Sequence, residues 1–212
     1  NIFGGWEIIS SEEVLDKDLT SLPKLQPRPW YTPWRKHSYV DKDEISSGLK
    51  SMERMLELDG FYDAKLDITW KKEEKWTASV NVKEGERLVL DSVDWKIVPS
   101  NDLFPEDLQE TMALREGSYF SELKFQDDQQ RILSYYLNRG HLWVKVEPKA
   151  QLSKTSVKAK VRYIITPGPK TSFGKTKIKG LQGLKKDLIE REFVHMEGEL
   201  YSAKALRQTR AN

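Results

Sequence analysis

Three histidines, the acidic pairs Glu12/Glu13 and Asp127/Asp128 and one glycine-lysine-threonine stretch are among the residues of this 212-residue chain whose types could do chemistry. Histidines would ligate a metal, but His37, His141 and His195 stand far apart and none has a second ligand at i+3 or i+4. They read as packing or surface residues. Glu12/Glu13 and Asp127/Asp128 could act as acid and base, yet sequence neighbours cannot share one face of a helix, so both pairs read as solvated faces. Gly174-Lys175-Thr176, preceded by Gly168, approaches a phosphate-binding loop. The glycines are separated by one residue too many, and an alternating pattern follows where that loop needs a helix. Gly180-Leu181-Gln182-Gly183 has the form of a clamp on an RNA backbone, but it lies between a strand and a helix, where a glycine-rich turn is needed anyway. Cysteine is absent, and no spacing supports a Ser/His/Asp or Cys/His constellation. No enzyme, cofactor site or metal site is expected.

The elements that carry these residues repeat. A short capping residue recurs as Asp41, Ser121 and Ser202, a step of about 80 residues, and Gly60 and Gly140 keep the same step. A period of that size means small domains in series, not a solenoid. Ile45, Leu49, Met52 and Leu56 form one helical stripe, matched by Phe125, Ile132, Leu133 and Tyr136, with Gln129 as a polar intruder. Each helix stops at a glycine suited to the left-handed position after the last turn. The period then changes to two: Tyr62, Ala64, Leu66 and Ile68 alternate with charged or polar residues, as do Leu142, Val144 and Val146. A second strand follows in each copy, Trp76 to Val82 and Val157 to Tyr163, each running to a glycine, Gly85 or Gly168. New strands are expected at Leu88 to Ile97 and Thr171 to Lys179, and connector helices at about Pro105 to Glu116 and Lys185 to Glu197.

This strand-helix-helix-strand-strand order predicts an α+β fold: tandem domains, each a three-stranded mixed sheet with two helices on one face. The order, the sequence Gly60-Phe61-Tyr62-Asp63-Ala64 and the stretch from Gly168 to Gly180 resemble POTRA domains, the polypeptide-transport-associated modules of outer-membrane protein assembly factors. The resemblance implies a first POTRA-like domain over 1–86 with a Pro/Trp-rich insertion at 23–34, a second over 87–168, and the first part of a third over 169–212. It also implies a periplasmic arm followed in the same chain by a C-terminal membrane barrel, receiving unfolded outer-membrane or secreted polypeptides. Other assembly-machinery proteins, including an inner-membrane-anchored one, are the further partners it implies. Scaffold domains that dock a folded partner, as in two-partner secretion or division proteins, and tandem RNA-binding domains are the alternatives.

Composition fits this reading. With 35 Lys and Arg against 33 Asp and Glu, the net charge of +2 argues against a strongly electrostatic nucleic-acid binder. No apolar run approaches the ~20 residues of a membrane-spanning helix.

Without chemistry, binding is left, and the pattern says where. If the last strand of each hairpin is central, the strand after each glycine lies at an edge, where Pro148 is tolerated and charges guard against uncontrolled pairing. The expected client-binding edge comprises Tyr62, Ala64, Lys65, Leu66, Asp67 and Ile68 in one copy and Leu142, Val144, Lys145 and Val146 in the next. An extended client would add a strand there through its backbone. Trp30, Tyr31 and Trp34, among prolines, form a second candidate partner surface.

Overall fold

The computed structural model describes residues 3–10, 42–72, 76–100, 102, 104–180 and 185–211. The Pro/Trp-rich insertion with Trp30, Tyr31 and Trp34, the cap at Asp41, His37, the Glu12/Glu13 pair and Leu181 to Gly183 lie outside the described residues. The elements are β1 (Phe3–Ser10), α1 (Lys42–Leu58), β2 (Lys65–Lys72), β3 (Trp76–Lys83), β4 (Val89–Ile97), α2 (Glu106–Thr111), α3 (Glu122–Leu137), β5 (Lys145–Ser153), β6 (Lys158–Thr166), α4 (Lys186–Glu190) and α5 (Ala203–Ala211).

The chain divides into two compact units. One comprises Asn1–Val89 with Tyr119–Leu123 and Leu152–Lys158, the other Leu90–Ser118, Lys124–Gln151 and Ala159–Asn212. In the first, β3 is the middle strand of the order β1-β3-β2, parallel to β1 and antiparallel to β2. The helix stripe read from the sequence closes on this sheet: Met52 and Leu56 of α1 are fully buried against Phe61, Val80 and Val82, with Leu49, Leu66 and Ile68 at the margin. One helix stands among the described residues of this unit.

In the second sheet the order is β4-β6-β5. Ala159, Val161, Tyr163 and Ile165 alternate inward from β6, and Phe125 of α3 meets Tyr163 with its ring 5.5 Å away, while Ile132 and Tyr136 of α3 are buried. Val157 is not part of the strand as expected. It turns the hairpin at φ +50°, a value uncommon for a β-branched residue.

The connector helices are shorter than the pattern predicted, ending at Thr111 and Glu190. The reason is the same in both. Asp128 of α3 accepts the backbone N–H of Ala113 at 2.7 Å and of Leu114 at 2.9 Å, and Thr209 of α5 accepts that of Val194 at 2.9 Å. A side chain on the second helix thus replaces the partner that another helical turn would have supplied. Asp128 is fully buried, so the solvated reading of the Asp127/Asp128 pair fails at this residue. Thr171 to Lys179 does not form a strand. Ser172 makes one bridge to Leu200, and no strand among the described residues flanks the rest.

Main-chain bonds repeat where the copies repeat. In the first unit Gly60 O accepts Leu88 N–H at 3.1 Å and Leu88 O accepts Phe120 N–H at 2.8 Å. In the second, Gly140 O accepts Thr171 N–H at 2.8 Å and Thr171 O accepts Tyr201 N–H at 2.9 Å.

Candidate functional site

Strands β2 and β5 each stand at an end of their sheet order, and no described strand lies beyond either. Lys65, Leu66, Asp67 and Ile68 lie in β2, and Lys145 and Val146 in β5. Leu66 and Ile68, opposite Val82 and Val80, turn toward the core, whereas Lys65 and Asp67 are exposed. Across the polar face Asn81 Nδ2 donates to Thr69 Oγ1 at 3.3 Å and Ser79 Oγ to Glu7 Oε2 at 3.0 Å.

Tyr62, Ala64, Leu142 and Val144 do not join the strands, contrary to the alternation in the sequence. They occupy the turn between glycine and strand. Val144 N–H bonds back to His141 O at 3.3 Å and Phe61 N–H to Leu56 O at 2.9 Å, which holds each segment out of the ladder. Gly60 and Gly140 have φ of +101° and +93°, so the turn begins in a region that side chains with a Cβ avoid. Tyr62 is also engaged: its carbonyl accepts from Lys154 Nζ at 3.3 Å, and its ring lies 6.4 Å from that of Phe120. Partial burial raises the Tyr62 phenol above its ordinary pKa.

The two edges are not equivalent. Proline fits a sheet when its nitrogen points to the open side, so Pro148 removes one outward donor from β5. Gln129, the polar intruder on α3, donates from Nε2 to Val146 O at 3.3 Å and takes up an acceptor of the same strand. Strand β2 contains no proline. Neither the Gln129 bond nor the role of Asp128 was anticipated. The interruption of the apolar stripe at 128 and 129 was the signal in the sequence.

The two described histidines make local packing and hydrogen-bond contacts. His141 Nδ1 lies 3.0 Å from Gly168 O and its ring meets Tyr136 edge-on. His195 stacks on Phe173 at 4.1 Å and lies 3.2 Å from Thr209 Oγ1. Among the described residues no group of His, Cys, Asp or Glu could hold a metal ion, and no helix is long and apolar enough to cross a membrane.

Comparison with known proteins agrees with this architecture. Residues 96–168 match the POTRA family, described as a surface antigen variable number repeat. The outer membrane protein assembly factor BamA of Nitratidesulfovibrio vulgaris is 22% identical over 214 residues, covering 97% of this chain and 26% of that protein. The chain therefore spans about a quarter of the length of that relative. The crystal structure of Haemophilus influenzae BamA POTRA3-5 superposes with a TM-score of 0.58 at 16% identity, over 99% of this chain and 83% of that one. Residues 96–168 thus match the POTRA family, and the described residues share the fold of the BamA POTRA structure.

Proposed function

We propose that this chain is the periplasmic, polypeptide-binding arm of an outer-membrane assembly factor. Its domains, divided near residues 86 and 168, take up unfolded β-barrel or secreted polypeptides as added strands and hand them to a membrane barrel that follows in the same protein. Other proteins of the assembly machinery, one of them anchored in the inner membrane, are the further partners. The observation that supports this reading is the position of β2 and β5 at the ends of their sheets, with no described strand on their outer sides. Backbone pairing tolerates variation in client side chains, as an assembly factor requires. One edge, β5, is weakened by Pro148 and by the Gln129 bond to Val146 O, which favours release. Lys65, Leu66, Asp67 and Ile68 lie on the β2 edge, Lys145 and Val146 on the β5 edge.

Titration of the 212-residue chain with an unfolded β-strand peptide from an outer-membrane protein, followed by amide shifts, tests the proposal. Shifts along 65–72, and weaker ones along 145–153, are expected. Shifts confined to α1, α3 and α5 would overturn it in favour of docking a folded partner.

A further inference from the structure

We infer that a groove in the second unit, between β4 and the segment running from α2 to Glu116, is a docking site for an extended protein segment that alternates apolar and basic side chains. The groove has a volume of about 700 Å³, with Val93 and Trp95 of β4 on one side and Glu106, Glu110, Met112 and Glu116 on the other. Its floor is apolar and fixed: the Trp95 ring stacks on Phe104 at 4.3 Å, and Met112 is buried. Its rim is acidic. Glu106 and Glu110 stand one helical turn apart on α2, and among the described residues none of Glu106, Glu110 and Glu116 is in an ion pair. Arg115, the one cation of the lining, donates to Glu110 O at 3.1 Å, so three carboxylates face one engaged guanidinium.

Strand β4 is the outer strand opposite β5 in the order β4-β6-β5. At its start the chain already pairs with it: Leu90 N–H donates to Ser118 O and Gly117 N–H to Leu90 O, both at 2.8 Å. The outer side of β4 thus accepts backbone, and no described strand continues this pairing beside Val93 and Trp95. Leu90 and Ile97 are both buried although they stand seven positions apart, an odd step that strict alternation would put on opposite faces, so the inward phase of β4 shifts between them. That shift turns Val93 and Trp95 toward the groove. A segment lying here would meet apolar side chains below and carboxylates at the rim, and only an alternating apolar and basic segment satisfies both. The contrast with the other edges is one of charge: β2 carries Lys65, Lys71 and Lys72 against Asp67, and β5 Lys145 and Lys149 against Glu147.

The test uses the 212-residue chain and two capped peptides, Val-Lys-Val-Lys-Val-Lys and Val-Glu-Val-Glu-Val-Glu, with amide shifts read at 92–96 and 106–116. The lysine peptide is expected to produce saturable shifts there and the glutamate peptide none. The double variant Glu106→Gln/Glu110→Gln, which alters exposed side chains, should weaken the lysine peptide three- to tenfold, about what two rim charge pairs contribute. Equal affinity for the two peptides, or no loss in the double variant, would overturn the inference. Shifts only at 65–72 and 145–153 would overturn it while leaving the function proposed for those edges intact. Shifts at 92–116 without any at the other edges would support the groove and count against that function.

Discussion

The Asp128 carboxylate, fully buried in α3, holds the backbone N–H of Leu114 at 2.9 Å with one oxygen and that of Ala113 at 2.7 Å with the other. Removing it leaves two donors without an acceptor in the interior. Asp128→Ala should cost about 3 kcal/mol, and Asp128→Asn, which keeps one acceptor, about half of that. Urea unfolding of both variants checks the order. Equal losses would mean that the two bonds are not the source of the effect.

The same residue sets a pH dependence. Burial, the largest influence, raises the Asp128 pKa, while the two backbone bonds and Arg131, 4.0 Å away, hold it down. The folded state therefore keeps this proton to higher pH than the unfolded chain does. Its contribution to stability is largest at low pH and falls as pH rises from about 4, the ordinary aspartate value, through the raised folded value. The stability advantage of the natural protein over Asp128→Asn should narrow across that window and then stay constant. An advantage that widens with pH would reverse the sign argued here.

Gly60 and Gly140 differ in what a side chain would strike. A Cβ at Gly60 would clash with the Phe120 carbonyl oxygen, whereas at Gly140 it would meet Leu200 Cδ2 at 3.2 Å and the Thr171 carbonyl oxygen at 3.3 Å, a tight approach but not a clash. Both substitutions carry roughly 1 kcal/mol of backbone strain, and Gly60→Val should lose about 2 kcal/mol or more beyond it because a backbone atom must move. Denaturation midpoints of the two variants compare them directly.

Strand β5 should bind peptide more weakly than β2 because Pro148 offers no N–H and Gln129 occupies the Val146 carbonyl. Pro148→Ala restores a donor worth about 0.5–1.5 kcal/mol, a two- to tenfold gain in affinity at 145–153 with none at 65–72. Unchanged affinity would place the proline nitrogen toward β6 and not toward solvent.

Arg87 donates from Nε to Asp59 O at 2.7 Å, pairs with the Asp59 carboxylate, and lies over the rings of Phe61 and Tyr119 at 5.3 and 4.9 Å. Lysine cannot keep the fork and the ring contacts together. Arg87→Lys should destabilise the first unit by about 1–2 kcal/mol in a thermal melt.

Much of this architecture is legible in the residues because two periods alternate at a fixed step. The stripe Leu49, Met52, Leu56 and the alternation Ala78, Val80, Val82 each face the core as their spacing demands. The edge position of β2 and β5 follows from chain order and the tolerance of an edge for proline. What was not legible depends on single long-range bonds. Asp128 interrupts the apolar stripe where Asp127 does not, but the pattern does not name its partners, the N–H groups of Ala113 and Leu114 about 14 residues away. Tyr62 and Leu142 continue an alternating pattern, yet the left-handed glycine before each starts a turn that alternation cannot reveal. The acidic groove beside Trp95 likewise exists only once α2 and β4 are adjacent.

The contacts at Gly60, Leu88 and Phe120, and again at Gly140, Thr171 and Tyr201, rest on main-chain N–H and C=O groups, to which Thr171 adds a bond from its hydroxyl to Gly140 O. Mutational drift can therefore rewrite Leu as Thr and Phe as Tyr without opening them, so long as the glycine survives. A gene encoding such copies can diverge far in letters while each new copy inherits the same fastening, which is how kinship in this chain outlasts its spelling.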